Sequence, residues 1–292
     1  MRFRDIFIVT RAWSLNITFV SVTLGTLLAF QDGKISLALY FITLLGAFLF
    51  HAGANTLNDY LDLKNKIDTP EAPTALYRPH PVFTNLLKPS QLLLFSAFLM
   101  SASLIIGIFL AIFLTALIGL MILSGIFLAF FYTGGPRGLK YMALGEPVVF
   151  LAFGPLMIEG AYAVQRTAVS VRAFYVSLPI GVLVALVLLA NNLRDLDFDA
   201  KSGIHTICTT LGRAKALTLY LFLSITPFAL ICLYMLLRIL SWQALLVFFT
   251  LPLAVRLNRE FFIKIPVNSD AKTSQLTFLF GLCLILALML GK

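Results

Sequence analysis

The sequence has little charge and almost no cysteine. Only 12% of its 292 residues are Asp, Glu, Lys or Arg, and 60% are hydrophobic. Soluble domains carry about 25% charged and 45–50% apolar residues. The three cysteines lie far apart without CxxC spacing, so we interpret them as small buried apolar side chains. These deficits exclude a water-soluble fold and a cysteine-based metal centre.

Acidic residues are also scarce relative to basic ones, which gives a formal net charge of +9. Nucleic-acid binding proteins gather their basic residues on one face. Here the Lys and Arg residues are scattered over short segments between apolar runs. We therefore predict no nucleic-acid partner and take the lipid bilayer as the partner of the apolar surface.

Apolar runs recur along the whole chain. A bilayer core about 30 Å thick needs roughly 20 apolar residues per helix. We predict an all-α polytopic membrane protein, with about nine transmembrane helices in one bundle and a single domain over residues 1–292. The stretch 91–133 is almost continuous, so eight spans is the alternative. The predicted spans cover residues 13–30, 36–57, 91–111, 113–133, 142–163, 173–193, 215–237, 241–255 and 274–290.

The distribution of Lys and Arg tests the span count. With nine spans, 17 of the 22 basic residues fall on the side of the N-terminus. Cytoplasmic loops carry such an excess. We therefore predict a cytoplasmic N-terminus, and place segments 58–90, 134–141 and 194–214 together on that face.

A polar stripe ends the second predicted span. His51, Asn55, Asn58 and Asp62 are spaced four, three and four residues apart, so they share one helix face. Asp59, three residues before Asp62, is a secondary candidate for that face. Because polar groups are costly in lipid, the stripe must face the bundle interior or a wet cavity.

A second stripe ends the sixth predicted span. Asn191, Asp195 and Asp199 recur every four residues, whereas Asp197 lies off this face and is expected to be solvated. Either stripe alone fits a solvated helix end. Together, their oxygen atoms suit Mg²⁺, which commonly binds a few carboxylates plus substrate phosphates. Cations able to neutralise the remaining anionic charge are Arg194, Lys140, Arg137 and Arg11.

The two segments resemble the Asp-rich motifs of the UbiA superfamily of intramembrane prenyltransferases. The run Asn58–Asp62, followed by Asp68, looks like the first motif, and Asn191–Asp199 looks like the second. Two features are closest to the menaquinone branch of this superfamily: the six-residue spacing from Asp62 to Asp68 and the motif Tyr132-Thr-Gly-Gly-Pro136. That branch prenylates 1,4-dihydroxy-2-naphthoate.

Two departures leave the acceptor open. Lys66 stands where the menaquinone branch usually has Gly, and the segment 78–81 lacks a Gly that commonly follows in the wider family. Acceptors of the 4-hydroxybenzoate or glycerophosphate-ether type therefore stay as alternatives. The fold and metal site that the resemblance implies are unaffected.

The resemblance implies a helical bundle around a central cavity capped by cytoplasmic loops, in the cell membrane. It implies Mg²⁺ as cofactor, a polyprenyl diphosphate such as geranylgeranyl diphosphate as donor, and a small aromatic acceptor that captures the allylic carbocation. The metal ligands would be Asn58, Asp62, Asp195 and Asp199, with Asp59 and Asp68 secondary. The other substrate-binding candidates are Arg194 and Lys140 for the diphosphate, Tyr132 and Tyr141 for the cation, and Asn191 and Arg137.

Two further polar residues carry separate expectations. Glu146 lies just inside the fifth predicted span, so its carboxylate must pair with a cation, contact water or be protonated. We expect it to pair with Arg137 or Lys140. His51 is either a hydrogen-bonded structural residue or a base that deprotonates the acceptor, with the structural role favoured.

A multi-pass transporter or cation channel is the competing class, because acidic stripes also line ion paths. The acidic residues cluster at one membrane face, however, whereas transporter sites lie near the midplane between inverted repeats. A membrane scaffold would leave both stripes unexplained. The sequence therefore favours an enzyme.

Overall fold

The computed structural model of the protein describes residues 2–134 and 138–291, and within these ranges all regular structure is helical. The π-turn Ala152–Leu156 joins two helices in line, and the 3-10 segment Trp242–Thr250 leads into another. The α-helices are α1 (Phe3–Val9), α2 (Leu15–Gln31), α3 (Leu37–Lys64), α4 (Pro73–Tyr77), α5 (Pro89–Phe113), α6 (Ala116–Thr133), α7 (Gly145–Leu151), α8 (Met157–Arg166), α9 (Val171–Lys201), α10 (Ile207–Leu211), α11 (Arg213–Leu236), α12 (Leu251–Ile263) and α13 (Ser269–Leu290).

The prediction of an all-α bundle with about nine membrane helices is confirmed. Eight helical stretches of the described chain are long and apolar enough to cross a membrane. The remaining predicted run, 241–255, falls on the 3-10 segment and the start of α12. The almost continuous stretch 91–133 divides after Phe113, because the Thr115 hydroxyl accepts the Leu117 amide and caps a new helix. The protein is an integral multi-pass membrane protein.

The two longest helices of the described chain extend well past the bilayer core. Helices α3 and α9 have 28 and 31 residues, and at 1.5 Å per residue α9 extends ~46 Å, against a hydrocarbon core of about 30 Å. Helices α5, α6 and the α7–α8 pair lie between them along the chain, so α3 and α9 run in the same direction. Their polar C-terminal turns therefore extend from the same end of the bundle, which we call the acidic end.

Helix α9 forms the centre of the core. It packs against α2, α7, α11 and α13, and its Leu183, Leu186 and Leu189 are fully buried. The outer faces of the bundle are apolar as well: Leu94 is 69% exposed and Phe98 is 65% exposed on α5. Exposed apolar side chains over whole helix faces are what contact with lipid requires.

Gly25 allows α2 to approach α8 closely. A Cβ atom added to Gly25 of α2 would lie 2.2 Å from the carbonyl oxygen of Ile158 on α8. Such close backbone approach is typical of helix pairs in membranes, where packing drives association. The α2–α8 contact therefore depends on Gly25 having no side chain.

We predict that Gly25→Ala destabilises the bundle by about 1–3 kcal/mol, the usual cost of overpacking. Thermal unfolding in detergent measures this as a lowered transition temperature. Gly119→Ala is the control, because its added methyl group would lie an ordinary 3.5 Å from Ala111 Cβ. Equal transition temperatures for the two variants would contradict the account of the α2–α8 contact.

Candidate active site

One cavity of about 520 Å³ opens at the acidic end of the bundle. Both polar stripes line it: Asn58 and Asp62 from α3, and Asn191, Asp195 and Asp199 from α9. The two Asp-rich segments, 129 residues apart between Asp62 and Asn191, thus share one chamber. A pocket of several hundred Å³ is of the size that holds small-molecule ligands.

Asp62 is the most heavily hydrogen-bonded carboxylate of the first stripe. Its Oδ2 accepts hydrogen bonds from Lys140 Nζ at 2.5 Å and from Asn58 Nδ2 at 3.0 Å, and its Oδ1 accepts one from the Tyr141 hydroxyl. Lys140 Nζ also donates to Asn58 Oδ1 at 2.9 Å. One ammonium group therefore bridges the two metal-ligand candidates on α3.

Two tyrosine rings flank that ammonium group. Lys140 Nζ lies 4.8 Å from the ring centroid of Tyr141 and 5.7 Å from that of Tyr132. Ring faces attract cations at such distances. Burial, together with the neighbouring Asp62, raises the pKa of the Tyr141 phenol, so it stays protonated as a donor. This part of the cavity therefore stabilises positive charge beside a carboxylate.

Asp195 is held by a bidentate ion pair with the residue before it. Arg194 donates from Nε to Asp195 Oδ1 and from Nη2 to Oδ2, both at 2.8 Å, and Thr74 of α4 donates to Oδ2 at 2.9 Å. Arg194 also donates to Asp270 at 3.0 Å and to Asn191 Oδ1 at 2.7 Å. The sequence suggested Arg194 as a diphosphate partner, whereas here its guanidinium is committed to orienting Asp195.

The third α9 carboxylate differs from its neighbours. Asp199 is only 8% exposed and lines the cavity, and no described residue donates a hydrogen bond to its side chain. Asp197, expected to be solvated, has a 78% exposed side chain that pairs with Arg213. The four-residue period therefore places the solvated and the cavity-facing carboxylates as expected.

Asp59 lies outside the cavity lining, in contrast to its expected role as a secondary metal ligand. Its side chain is fully buried and accepts hydrogen bonds from Arg11 and, at 3.1 Å, from Arg78. Helix spacing alone put Asp59 near the face of Asp62. Instead, Arg11 from before α3 and Arg78 from after it pair with its carboxylate. No repeat in the sequence pointed to Arg78 as a partner of Asp59.

Asp68 lies close to Asp59 and to His80. His80 Nε2 lies 3.7 Å from Asp68 Oδ2, and His80 Nδ1 accepts the Val82 amide at 3.2 Å. Because that bond occupies the Nδ1 lone pair, the proton of neutral His80 lies on Nε2, which is then a donor rather than a metal ligand. Burial, then Asp62 and Asp59, raises the pKa of Asp68 to about 6. Carboxylates therefore crowd this side of the cavity.

Glu146 has a different partner from the expected one. Asn192 Nδ2 donates to Glu146 Oε1 at 2.9 Å. The expected pairing with Lys140 is wrong, because that ammonium group bonds Asn58 and Asp62. The alternative partner, Arg137, lies outside the described residues. Glu146 thus links the start of α7 to the polar end of α9.

The inner end of the first stripe is structural. His51 Nδ1 lies 2.7 Å from the Thr18 hydroxyl, and Nε2 lies 3.4 Å from that of Ser14. Asn55 Nδ2 donates to Ser14 Oγ and to the Thr10 carbonyl oxygen. These hydrogen bonds connect α3 to the start of α2. They agree with the structural role that the sequence favoured for His51.

The donor set fits a divalent cation. Asp62, Asp195 and Asp199 offer carboxylate oxygens and Asn58 a carboxamide oxygen, all facing one cavity. Hard oxygen ligands of this kind suit Mg²⁺. Asp199 accepts no hydrogen bond from a described residue, and burial, then Asp62 and Asp59, raises the pKa of nearby Asp68. A bound cation would stabilise the ionised forms of both carboxylates.

The fold and the site define an intramembrane protein with a metal-compatible, partly apolar chamber. A sequence profile of the UbiA prenyltransferase family matches residues 18–290. The chain belongs to this family. It is 31% identical over 285 residues to "UbiA prenyltransferase domain-containing protein 1" of Danio rerio, which covers 96% of this chain and 82% of that protein. It is 26% identical over 210 residues to "1,4-dihydroxy-2-naphthoate octaprenyltransferase" of Bacillus subtilis, with 72% and 67% covered.

Solved structures share the fold. An apo UbiA homologue from Aeropyrum pernix superposes with a TM-score of 0.71 at 17% identity, with 98% of each chain covered. A UbiA homologue from Archaeoglobus fulgidus, solved with GPP and Mg²⁺ bound, gives 0.62 at 17% identity, with 96% of this chain and 99% of that chain covered. These likenesses support the bundle architecture.

We predict that Asp59→Asn costs about 3 kcal/mol of stability, because it leaves two buried arginines without their counter-charge. Thermal unfolding in detergent measures the loss. Asp197→Asn removes a carboxylate from an exposed ion pair and should change stability by less than ~1 kcal/mol. A stable Asp59→Asn variant would show that Arg11 and Arg78 do not depend on this carboxylate.

Proposed function

We propose that the protein is a Mg²⁺-dependent polyprenyltransferase. It transfers a polyprenyl group from a polyprenyl diphosphate to an aromatic acceptor, 1,4-dihydroxy-2-naphthoate, within the membrane. The observation that carries the proposal is that both Asp-rich stripes face one cavity whose other walls are largely apolar. A substrate with a diphosphate head and a hydrocarbon tail matches this division.

Asn58, Asp62, Asp195 and Asp199 would hold Mg²⁺, with Asp68 as a secondary ligand. Bound Mg²⁺ would polarise the diphosphate and stabilise the negative charge that develops on it. Asp59 is not among these ligands, because its carboxylate is paired with Arg11 and Arg78. The GPP and Mg²⁺ bound by the Archaeoglobus fulgidus homologue support the choice of ligand class.

The chain's own side chains have separate roles in this proposal. Lys140, beside Asn58 and Asp62, meets the anionic head and stabilises it electrostatically. Arg194 is a positioning residue that fixes the Asp195 carboxylate. Tyr132 and Tyr141 already face a cation and would shield positive charge on the allylic carbon. Asn191, which lines the cavity, and Arg137 complete the proposed substrate contacts.

The acceptor assignment rests on two resemblances. The motif sequences are closest to those of the menaquinone branch, and the Bacillus subtilis relative is named for 1,4-dihydroxy-2-naphthoate. We therefore place this acceptor first, before 4-hydroxybenzoate and glycerophosphate ethers. Because cytoplasmic loops carry an excess of Lys and Arg, we also propose that the N-terminus and the acidic loops lie on the cytoplasmic side of the cell membrane. We treat residues 1–292 as one catalytic domain.

The test is transfer of radiolabelled geranylgeranyl from its diphosphate by protein in nanodiscs, with each acceptor in turn. We expect prenylated dihydroxynaphthoate with Mg²⁺ and none with EDTA. If product forms only with another acceptor, the acceptor assignment is wrong, but the proposed metal and diphosphate site is kept. If no acceptor reacts and no prenyl diphosphate binds, the transporter hypothesis takes precedence.

Substitutions test the two stripes separately. Asp62→Asn and Asp195→Asn should each lower turnover on the order of 10²–10³-fold, the scale for losing one electrostatic stabiliser of the transition state. Asp197→Asn is the matched control, because its exposed carboxylate lies outside the cavity. Turnover is counted per folded protein after size exclusion. Near-normal turnover by either stripe variant would contradict the proposed site.

A further inference from the structure

We infer that a shallow groove on the outer side of α12 binds one anionic phospholipid, whose phosphate contacts Arg256 and Arg259. Phe248, Leu251 and Val255 lie along the groove, and the two arginines lie towards one end of it. None of the residues that line this groove lines the active-site cavity. The inference therefore goes beyond the proposed function and does not depend on the reaction.

Helix α12 has a packed side and an open side. Leu257 and Phe261 are each 2% exposed, and the ring of Phe261 stacks on that of Tyr220 of α11 with 4.0 Å between the centroids. On the opposite side Val255 is 39% exposed and Ile263 is 87% exposed. The groove runs along this open side, where the surface of the bundle meets lipid.

The arginines lie at the level of the lipid headgroups on the acidic end of the bundle. Helix α12 leads into α13, whose first turn carries Asp270, the partner of Arg194 at the acidic end. Arg256 and Arg259 are seven and four residues before the last residue of α12, which corresponds to ~10 and ~6 Å. Long arginine side chains extend from such positions to the polar interface.

This end of the groove has an excess of positive charge. The segment from α12 to the first turn of α13 contains four basic and two acidic residues. Glu260 accepts hydrogen bonds from Arg256 at 3.0 Å and from Lys272 at 2.5 Å, and Asp270 is paired elsewhere. Arg259 is exposed and has no acidic partner among the described residues. Its guanidinium is therefore available to an anion from outside the protein.

The spacing of the two arginines suits a phosphate group. Residues three apart on a helix are neighbours on its surface, so both guanidinium groups can approach one headgroup. Guanidinium groups bind phosphate through two parallel hydrogen bonds, which makes arginine well suited to this ligand. Basic pockets on membrane helices bind anionic lipid headgroups in the same way.

The apolar part of the groove matches the length of an acyl chain in one leaflet. From Arg259 to Leu251 the α-helix rises ~12 Å, and the 3-10 segment adds ~6 Å to Phe248. The resulting ~18 Å is close to half of a hydrocarbon core of about 30 Å. A cationic end followed by an apolar groove of this length is complementary to a phospholipid rather than to a free anion.

The first experiment is native mass spectrometry of the detergent-solubilised full chain with dioleoyl phosphatidylglycerol or dioleoyl phosphatidylcholine. We expect one tightly retained phosphatidylglycerol and weaker binding of phosphatidylcholine. Affinity for phosphatidylglycerol should fall about 5-fold in Arg259→Gln and about 25-fold in Arg256→Gln/Arg259→Gln. Lys201→Gln/Lys215→Gln is the control, because it removes the same charge from exposed residues outside the groove.

A second variant tests the apolar part while both arginines are kept. Val255→Trp fills the groove and should weaken phosphatidylglycerol binding, whereas Leu94→Trp on the exposed face of α5 should not. Glycerol phosphate, which has the phosphate without acyl chains, should not bind at the concentrations at which the lipid binds.

Three results would overturn the inference. The first is equal affinity for the two lipids, or an equal fall in the arginine and lysine variants, which would indicate only a general attraction to anionic lipid. The second is binding of glycerol phosphate as tight as that of the lipid. The third is binding of a soluble hexaglutamate peptide at the two arginines without binding of phosphatidylglycerol, which would assign the groove to an acidic protein partner.

Discussion

A buried carboxylate at the end of a membrane helix is costly unless a cation lies beside it, and three carboxylates at the acidic end of this bundle have such a partner. Asp62 faces Lys140, Asp195 faces Arg194, and Asp59 faces two arginines. Lys140 and the arginines that hold Asp59 come from segments outside α3. Because a buried charge without a partner costs several kcal/mol, these pairings draw the covering segments over the cavity.

The same arrangement gives the cavity two chemically different ends. Charged and hydrogen-bonding groups are confined to the C-terminal turns of α3 and α9, which extend past the hydrocarbon core because both helices are unusually long. Deeper in the bundle the walls become apolar, and Leu110, Ile118 and Val164 are among the side chains that line them. An amphiphilic substrate would be oriented by this gradient before any specific contact forms.

Helix periodicity made the stripes predictable from sequence. A repeat of four residues fixes which side chains share a face, so Asp195 and Asp199 line the cavity while Asp197 is solvated. Periodicity cannot show which residue of an irregular segment will pair with a residue on such a face. For that reason the contacts of Thr74 and Arg78 could not be foreseen, and neither could the use of Arg194 to hold its neighbour rather than a ligand.

The central claim is that two distant stripes form one site for a metal ion and a diphosphate. The most direct measurement is anomalous diffraction from crystals grown with Mn²⁺ and a geranylgeranyl thiolodiphosphate. The account predicts Mn²⁺ between Asn58 and Asp62 on α3 and Asp195 and Asp199 on α9, in contact with the diphosphate. Metal bound only beside Asp59, Asp68 and His80, where three potential ligand atoms lie within 4.8 Å of one another, would contradict it.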